Sequence, residues 1–75
     1  MSYVAFKTTL CEGIVVINID QIASVFQREG DAFTAVVLTN TVGYQIGLSM
    51  HEVLNHIAKS KHQTIDGALK LLQSE

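Results

Sequence analysis

Three histidines and one cysteine are the side chains of this 75-residue chain best suited to metal binding or nucleophilic chemistry. Metal-binding histidines on one helix lie three or four residues apart, because that spacing places both on the same face. His51, His56 and His62 are instead five and six residues apart. We therefore predict that the histidines face solvent and that the chain holds no metal ion.

Cys11 is the single thiol of the sequence. A nucleophilic cysteine needs a neighbouring base or a helix N-terminus that favours its thiolate form. Cys11 has neither nearby in the chain, and it precedes Gly13 at the end of a predicted strand. One cysteine also cannot form an internal disulfide. These observations predict a free thiol in a reducing compartment, and therefore a cytoplasmic protein.

Motifs for catalysis or cofactor binding are absent from the sequence. It contains no glycine-rich phosphate loop, no HExxH zinc motif and no Ser-x-x-Lys element. Asn18 and Asp20 could suggest a carboxylate site, but such residues at a strand end usually bond their own backbone and turn the chain. We therefore predict a protein that is not an enzyme, with no catalytic residue and no cofactor.

The composition is that of one small folded domain covering residues 1–75. Apolar residues make up 48% of the chain and charged residues 16%, whereas disordered chains have the reverse balance. The longest apolar run, residues 14–17, is far too short to span a bilayer, and no basic-then-apolar signal opens the chain. We predict no membrane association.

The first two thirds of the chain have the pattern of strands. β-Branched and aromatic residues concentrate in short segments separated by turn residues at 11–13, 29–31 and 40–41. Thr41 weakens the last turn because a β-branched residue disfavours positive φ. The predicted strands are residues 3–10, 14–19, 22–28, 33–39 and 42–48.

Two helices are predicted after the strands, at about 50–59 and 65–73. Ser49 and Glu52 have the spacing of a capping box, and Thr64 can cap the second helix. Apolar residues then recur at helical spacing: Met50, Val53, Leu54, Ile57 and Ala58, followed by Ile65, Ala68, Leu69 and Leu72. Strands followed by helices indicate an α+β fold, an antiparallel sheet of about five strands with two C-terminal amphipathic helices.

Several short motifs carry a family resemblance over roughly residues 9–58. They are Leu10-Cys11-Glu12-Gly13, Ile17-Asn18-Ile19-Asp20-Gln21-Ile22, Val37-Leu38-Thr39-Asn40, and Ser49 with Glu52 and Val53. The sequence resembles the small bacterial flagellar and swarming motility (FlbD-like) protein family. That family has no catalytic motif, so the resemblance implies a bacterial regulatory or accessory module.

The predicted apolar segments exceed what one small sheet and one helix can hide. We therefore predict a non-catalytic protein–protein interaction module that acts as a homo-oligomer, with a dimer favoured. The candidate contact surface comprises Ile65, Leu69, Leu72, Tyr44, Gly43 and Gly47.

A nucleic-acid-binding regulator is the alternative function. It would use Lys59, Lys61 and His62 between the two helices, doubled in a dimer. The chain has five Lys and Arg and seven Asp and Glu, so it has no broad basic surface for binding nucleic acid. Nucleic-acid binding is therefore the second hypothesis.

Overall fold

The computed structural model describes residues 2–8 and 13–73, which form an antiparallel sheet followed by two helices. This α+β arrangement confirms the predicted fold class. The elements are β1 (Tyr3–Thr8), β2 (Gly13–Asn18), a 3-10 helix (Ile19–Gln21), β3 (Ile22–Phe26), β4 (Thr34–Leu38), β5 (Gly43–Ile46), α1 (Met50–Lys59) and α2 (Ile65–Gln73).

Several element boundaries differ from the sequence-based prediction. The third strand ends at Phe26 and the fifth at Ile46, each two residues early. Just after β5, the carbonyl of Leu48 accepts a hydrogen bond from the buried Thr34 hydroxyl at 2.8 Å. Asn18 accepts from the backbone N–H of Asp20 at 3.0 Å, as expected of a turn residue. The predicted turn at Cys11 and Glu12 lies outside the described residues.

The sheet is strongly curled. Its strand order is β2-β1-β5-β4-β3, so β2 and β3 are at opposite edges although they follow one another in the chain. A flat five-stranded sheet would separate them by about 19 Å, whereas the three residues of the 3-10 helix rise only about 6 Å. The two edges must therefore approach one another where that helix joins them.

The main core fills the inside of the curl. It consists of inward-facing residues from the strands together with one residue of α1. Strand alternation explains the selection, since Val4 and Phe6 face inward while Ala5 faces outward. The members are Val4, Phe6, Ile17, Val36, Ile46 and Val53.

A second cluster lies on the outer face of the β1–β2 hairpin, beneath α2. Its buried members are Ala5 of β1 with Ala68 and Leu72 of α2. Tyr3, Val16 and Leu69 are partly buried against them. The second helix therefore packs on its own sheet, and β1 is buried on both of its faces.

Helix α1 begins as the capping box predicts but turns a different face to the core. The Ser49 hydroxyl accepts from the Glu52 backbone N–H at 3.2 Å and donates to the Glu52 carboxylate at 3.1 Å. Val53 is fully buried, but Leu54 is 49% exposed and Ala58 is also exposed. The predicted stripe was wrong at Leu54 and Ala58, because the buried face continues from Val53 through His56, Ile57 and Ser60.

The helix α2 cap agrees with the prediction. The hydroxyl of Thr64 accepts from the backbone N–H of Gly67 at 3.1 Å. The turn before it is fixed to the start of β1, where Tyr3 N–H donates to the Gln63 carbonyl at 3.0 Å and His62 N–H donates to Ser2 Oγ at 2.8 Å. These bonds position α2 over the β1–β2 hairpin.

Candidate functional site

The outer face of β3, β4 and β5 is not covered by either helix in the described part of the chain. The cross-strand register places Phe26, Ala35 and Gln45 side by side on this face. Val37 lies on the same face, two residues after Ala35 in β4. Phe26 is 47% exposed, whereas Ala35 and Val37 are half-buried. We call this surface, completed by Phe33, the open face; it exposes the large apolar side chain of Phe26 beside the polar Gln45.

A tight turn borders the open face at the end of β3. Arg28 Nε and Asp31 Oδ2 form an ion pair at 3.1 Å, so the two charges compensate each other. Gln27 donates to the Asp31 carbonyl at 3.0 Å and accepts from the Met50 backbone N–H at 3.3 Å. The turn is thereby held between the sheet and the start of α1, and with Phe26 and Phe33 it encloses a depression of about 190 Å³.

The sequence-based reasoning did not identify Phe26 or Phe33 as surface residues. The signal was present in the strand alternation. Val25 and Thr34 face the core, so their neighbours Phe26 and Phe33 must face outward. Two outward phenylalanines flank one turn, and the strand alternation alone predicts their position.

A cavity of about 300 Å³ lies at the Thr8 end of β1. Its walls come from β1, from the segment after β5 and from both helices, with His56 of α1 and Leu72 of α2 on two of its sides. The His56 ring packs edge-on against the Phe6 ring, with ring centroids 5.7 Å apart. The site therefore combines an aromatic wall with polar groups at its margin.

His56 is half-buried, so the prediction that the histidines face solvent was wrong for this residue. His51 and His62 are exposed, as expected. The difference arises because His56 lies three residues after the buried Val53, on the same helix face. Its flat ring packs against the Phe6 ring at the edge of the main core.

The six residues of the predicted contact surface do not form one surface. Leu72 and Leu69 pack against β1, and Tyr44 packs against the main core. Three others are exposed but separate: Gly43 at the margin of the open face, Gly47 beside the cavity and Ile65 at the start of α2. A Cβ on Gly43 would lie 3.7 Å from Val37 Cγ2, an ordinary contact, so Gly43 is not required for close packing.

Lys59, Lys61 and His62 are all exposed and adjacent at the turn between the helices. His62 adopts a left-handed backbone conformation with φ 66°, which redirects the chain from α1 towards α2. The three side chains are thus available at one corner of the molecule, near the C-terminal end of α1.

Within residues 2–8 and 13–73, no group of three or more His, Cys, Asp or Glu side chains is arranged to hold a metal ion. In the same ranges, neither helix has the length and apolar character needed to cross a bilayer.

Comparison with known proteins identifies no relative: no family model, no curated protein and no solved structure matches the chain. The resemblance to the FlbD-like family therefore stays a prediction.

Proposed function

We propose that this chain is a small non-catalytic protein–protein interaction module that acts as a homodimer through the open face. The observation that carries the proposal is the exposure of Phe26 beside Phe33 on a sheet face that no described helix covers. Covering the exposed half of one phenylalanine removes on the order of 100 Å² from water, worth about 2 kcal/mol. A two-fold dimer gains this amount twice.

The edge strand β3 supports a second copy as the partner. Natural edge strands commonly carry lysine or proline, which discourage pairing with another chain. The five residues Ile22–Phe26 contain no charged residue and no proline. A two-fold axis would place two such strands antiparallel, each meeting the same surface of the other copy.

The charges around the open face do not oppose contact with a second copy. The whole chain has a net charge of −2, so two copies repel one another at long range. The charged residues that line the depression beside Phe26 and Phe33 are Arg28 and Asp31, which form an ion pair. A dimer contact at this depression would therefore bury Arg28 and Asp31 as a neutral pair.

Phe26 and Leu54, two apolar side chains of nearly equal exposure, provide the test. Sedimentation velocity from about 1 to 300 µM should detect a species of twice the 8.2 kDa chain mass. Phe26→Ser should raise the dimer dissociation constant at least about tenfold. Leu54→Ser is the matched control, because Leu54 is similarly exposed but lies on α1, and it should leave dimerisation unchanged. A monomer throughout, or equal effects of both variants, would contradict the proposal.

Nucleic-acid binding is the alternative function, supported by the adjacency of Lys59, Lys61 and His62 at an exposed turn. Its signature would be salt-sensitive binding to duplex or single-stranded DNA, measured by fluorescence anisotropy, that is lost in the Lys59→Glu, Lys61→Glu double variant. Such binding by a chain that stays monomeric would replace the interaction module as the leading proposal.

A further inference from the structure

Strand β2 forms one edge of the sheet and, in the part of the chain that the structure describes, pairs with β1 alone. Its six residues pair with β1 one to one, without a bulge. They include no charged residue and no proline, the residue types that commonly protect a natural edge strand from pairing with another chain. The β2 edge is therefore able to accept a further strand.

One hydrogen bond determines which backbone groups of β2 face the edge. The N–H of Ile19, directly after β2, donates to the carbonyl of Ser2, directly before β1, at 2.9 Å. In an antiparallel pair, residues that bond to the neighbouring strand alternate with residues whose N–H and C=O point away from it. Counting back in steps of two from Ile19, Val15 bonds to β1. Ile14 and Val16 therefore direct their N–H and C=O groups to the open edge.

The side chains of this segment are complementary to a second copy of the same segment. With Val15 on a two-fold axis, antiparallel pairing places Ile14 of each copy opposite Val16 of the other. Each of these pairs exchanges two backbone hydrogen bonds, because both residues direct their N–H and C=O outward. Ile14 is 50% exposed, and this register covers it with an apolar β-branched side chain, a favourable cross-strand pair.

Helix α2 leaves room for such a contact. It packs mainly over β1, where Ala68 and Leu72 contact Ala5. In a sheet continued through two β2 strands, the two β1 strands are three strand spacings apart, about 14 Å. A helix with its side chains is about 10–12 Å across. The α2 helices of the two copies can therefore lie side by side on the outer face.

We infer that the β2 edge pairs antiparallel with the β2 edge of a second copy, which extends the sheet across the contact. The open face belongs to β3, β4 and β5, so the β2 contact is independent of the proposed dimer contact. A chain that uses both contacts links more than two copies, because each copy then touches two others. Backbone hydrogen bonds contribute little net free energy in water, so the β2 contact forms at about millimolar concentration.

Amide hydrogen exchange, measured by two-dimensional NMR on the full-length ¹⁵N-labelled chain, tests the pairing. The Phe26→Ser variant is used because it weakens the open-face contact. Between about 0.1 and 2 mM protein, the Ile14 and Val16 amides should slow their exchange at least about twofold, as expected for a dissociation constant near 1 mM. The amide of Gly30, in an exposed turn, should not change. Exchange at Ile14 and Val16 that is independent of concentration would overturn the inference and leave the open-face proposal intact.

Variants of Ile14 separate backbone pairing from simple apolar association. Ile14→Pro removes an outward N–H without removing a bond to β1, and should weaken the contact at least about tenfold, so that Val16 loses its concentration-dependent protection. Ile14→Ala keeps the N–H and should weaken the contact less than about threefold. Ile65→Ala, at an isoleucine of similar exposure on α2, should have no effect. Protection of Val16 that persists in Ile14→Pro, or that is lost equally in Ile65→Ala, would contradict pairing through β2.

Discussion

The two outer faces of the sheet differ in how they are covered. The outer face of the β1–β2 hairpin is closed by α2, and its central residue, Ala5, is almost fully buried. The open face of β3, β4 and β5 has no helix on it, and its most exposed apolar residue is Phe26. Within one 75-residue chain, one outer face of the sheet is therefore covered by a helix and the other is not covered by a described helix.

The central contacts of the two faces differ in side-chain size. Ala5 on β1 and Ala68 on α2 are small, so the helix can approach the hairpin closely enough to bury both. The open face instead presents the bulky Phe26 and Phe33 around a shallow depression. Small residues let the helix pack closely on the hairpin, whereas aromatic residues are enriched where proteins contact other proteins.

Truncating Leu72 should produce the largest effect that separates the two faces. Leu72 is 9% exposed and packs against Ala5, so Leu72→Ala should lower the free energy of unfolding by about 2–3 kcal/mol. Ile65→Ala, on the same helix but 48% exposed, should cost less than about 1 kcal/mol. Both are measured by urea denaturation at one protein concentration, because dimerisation adds to apparent stability. Equal costs would mean that α2 does not depend on the second cluster.

Enlarging an alanine on each face tests whether the covered face is filled and the open face is not. Ala68 is 1% exposed between α2 and β1, so Ala68→Leu should destabilise the fold by about 1–3 kcal/mol through overpacking. Ala35→Leu adds the same atoms beside the depression on the open face and should change stability by less than about 0.5 kcal/mol. Thermal denaturation of both variants is measured at a protein concentration at which the chain is monomeric, because Ala35 lies on the proposed dimer contact and dimerisation adds to apparent stability. A large cost at Ala35 would show that the open face is already packed.

Local patterns in the sequence were sufficient to predict the elements. Ser49 and Glu52 specify where α1 begins, and Thr64 specifies the cap of α2, because each cap depends only on residues within one turn. The alternation in 42–48 likewise predicted that Tyr44 and Ile46 share a face, and both contribute to the main core. These features depend on short-range geometry, which a single sequence records directly.

The arrangement of elements that are far apart in the chain could not be predicted from local patterns. The single pairing of Thr8 with Ile46 joins segments far apart in the chain, and no local pattern specifies it. The cavity lies beside that pairing, and the contact of His56 with Phe6 forms one of its walls. The buried face of α1 was misassigned for a related reason, since His56 and Ser60 are polar residue types whose burial depends on what they contact.

The smallest effect is expected at the turn between β4 and β5, the hairpin that supports the open face. Thr41 has φ 70°, a left-handed conformation that costs a β-branched residue about 1–2 kcal/mol. Thr41→Gly removes this strain and should stabilise the fold by up to about 1 kcal/mol, because the greater flexibility of glycine in the unfolded chain offsets part of the gain. Thr41→Ala is the control, since alanine keeps a Cβ at positive φ and should gain less. If alanine stabilises as much as glycine in urea denaturation, the cost lies in the threonine side chain and not in the backbone of the turn.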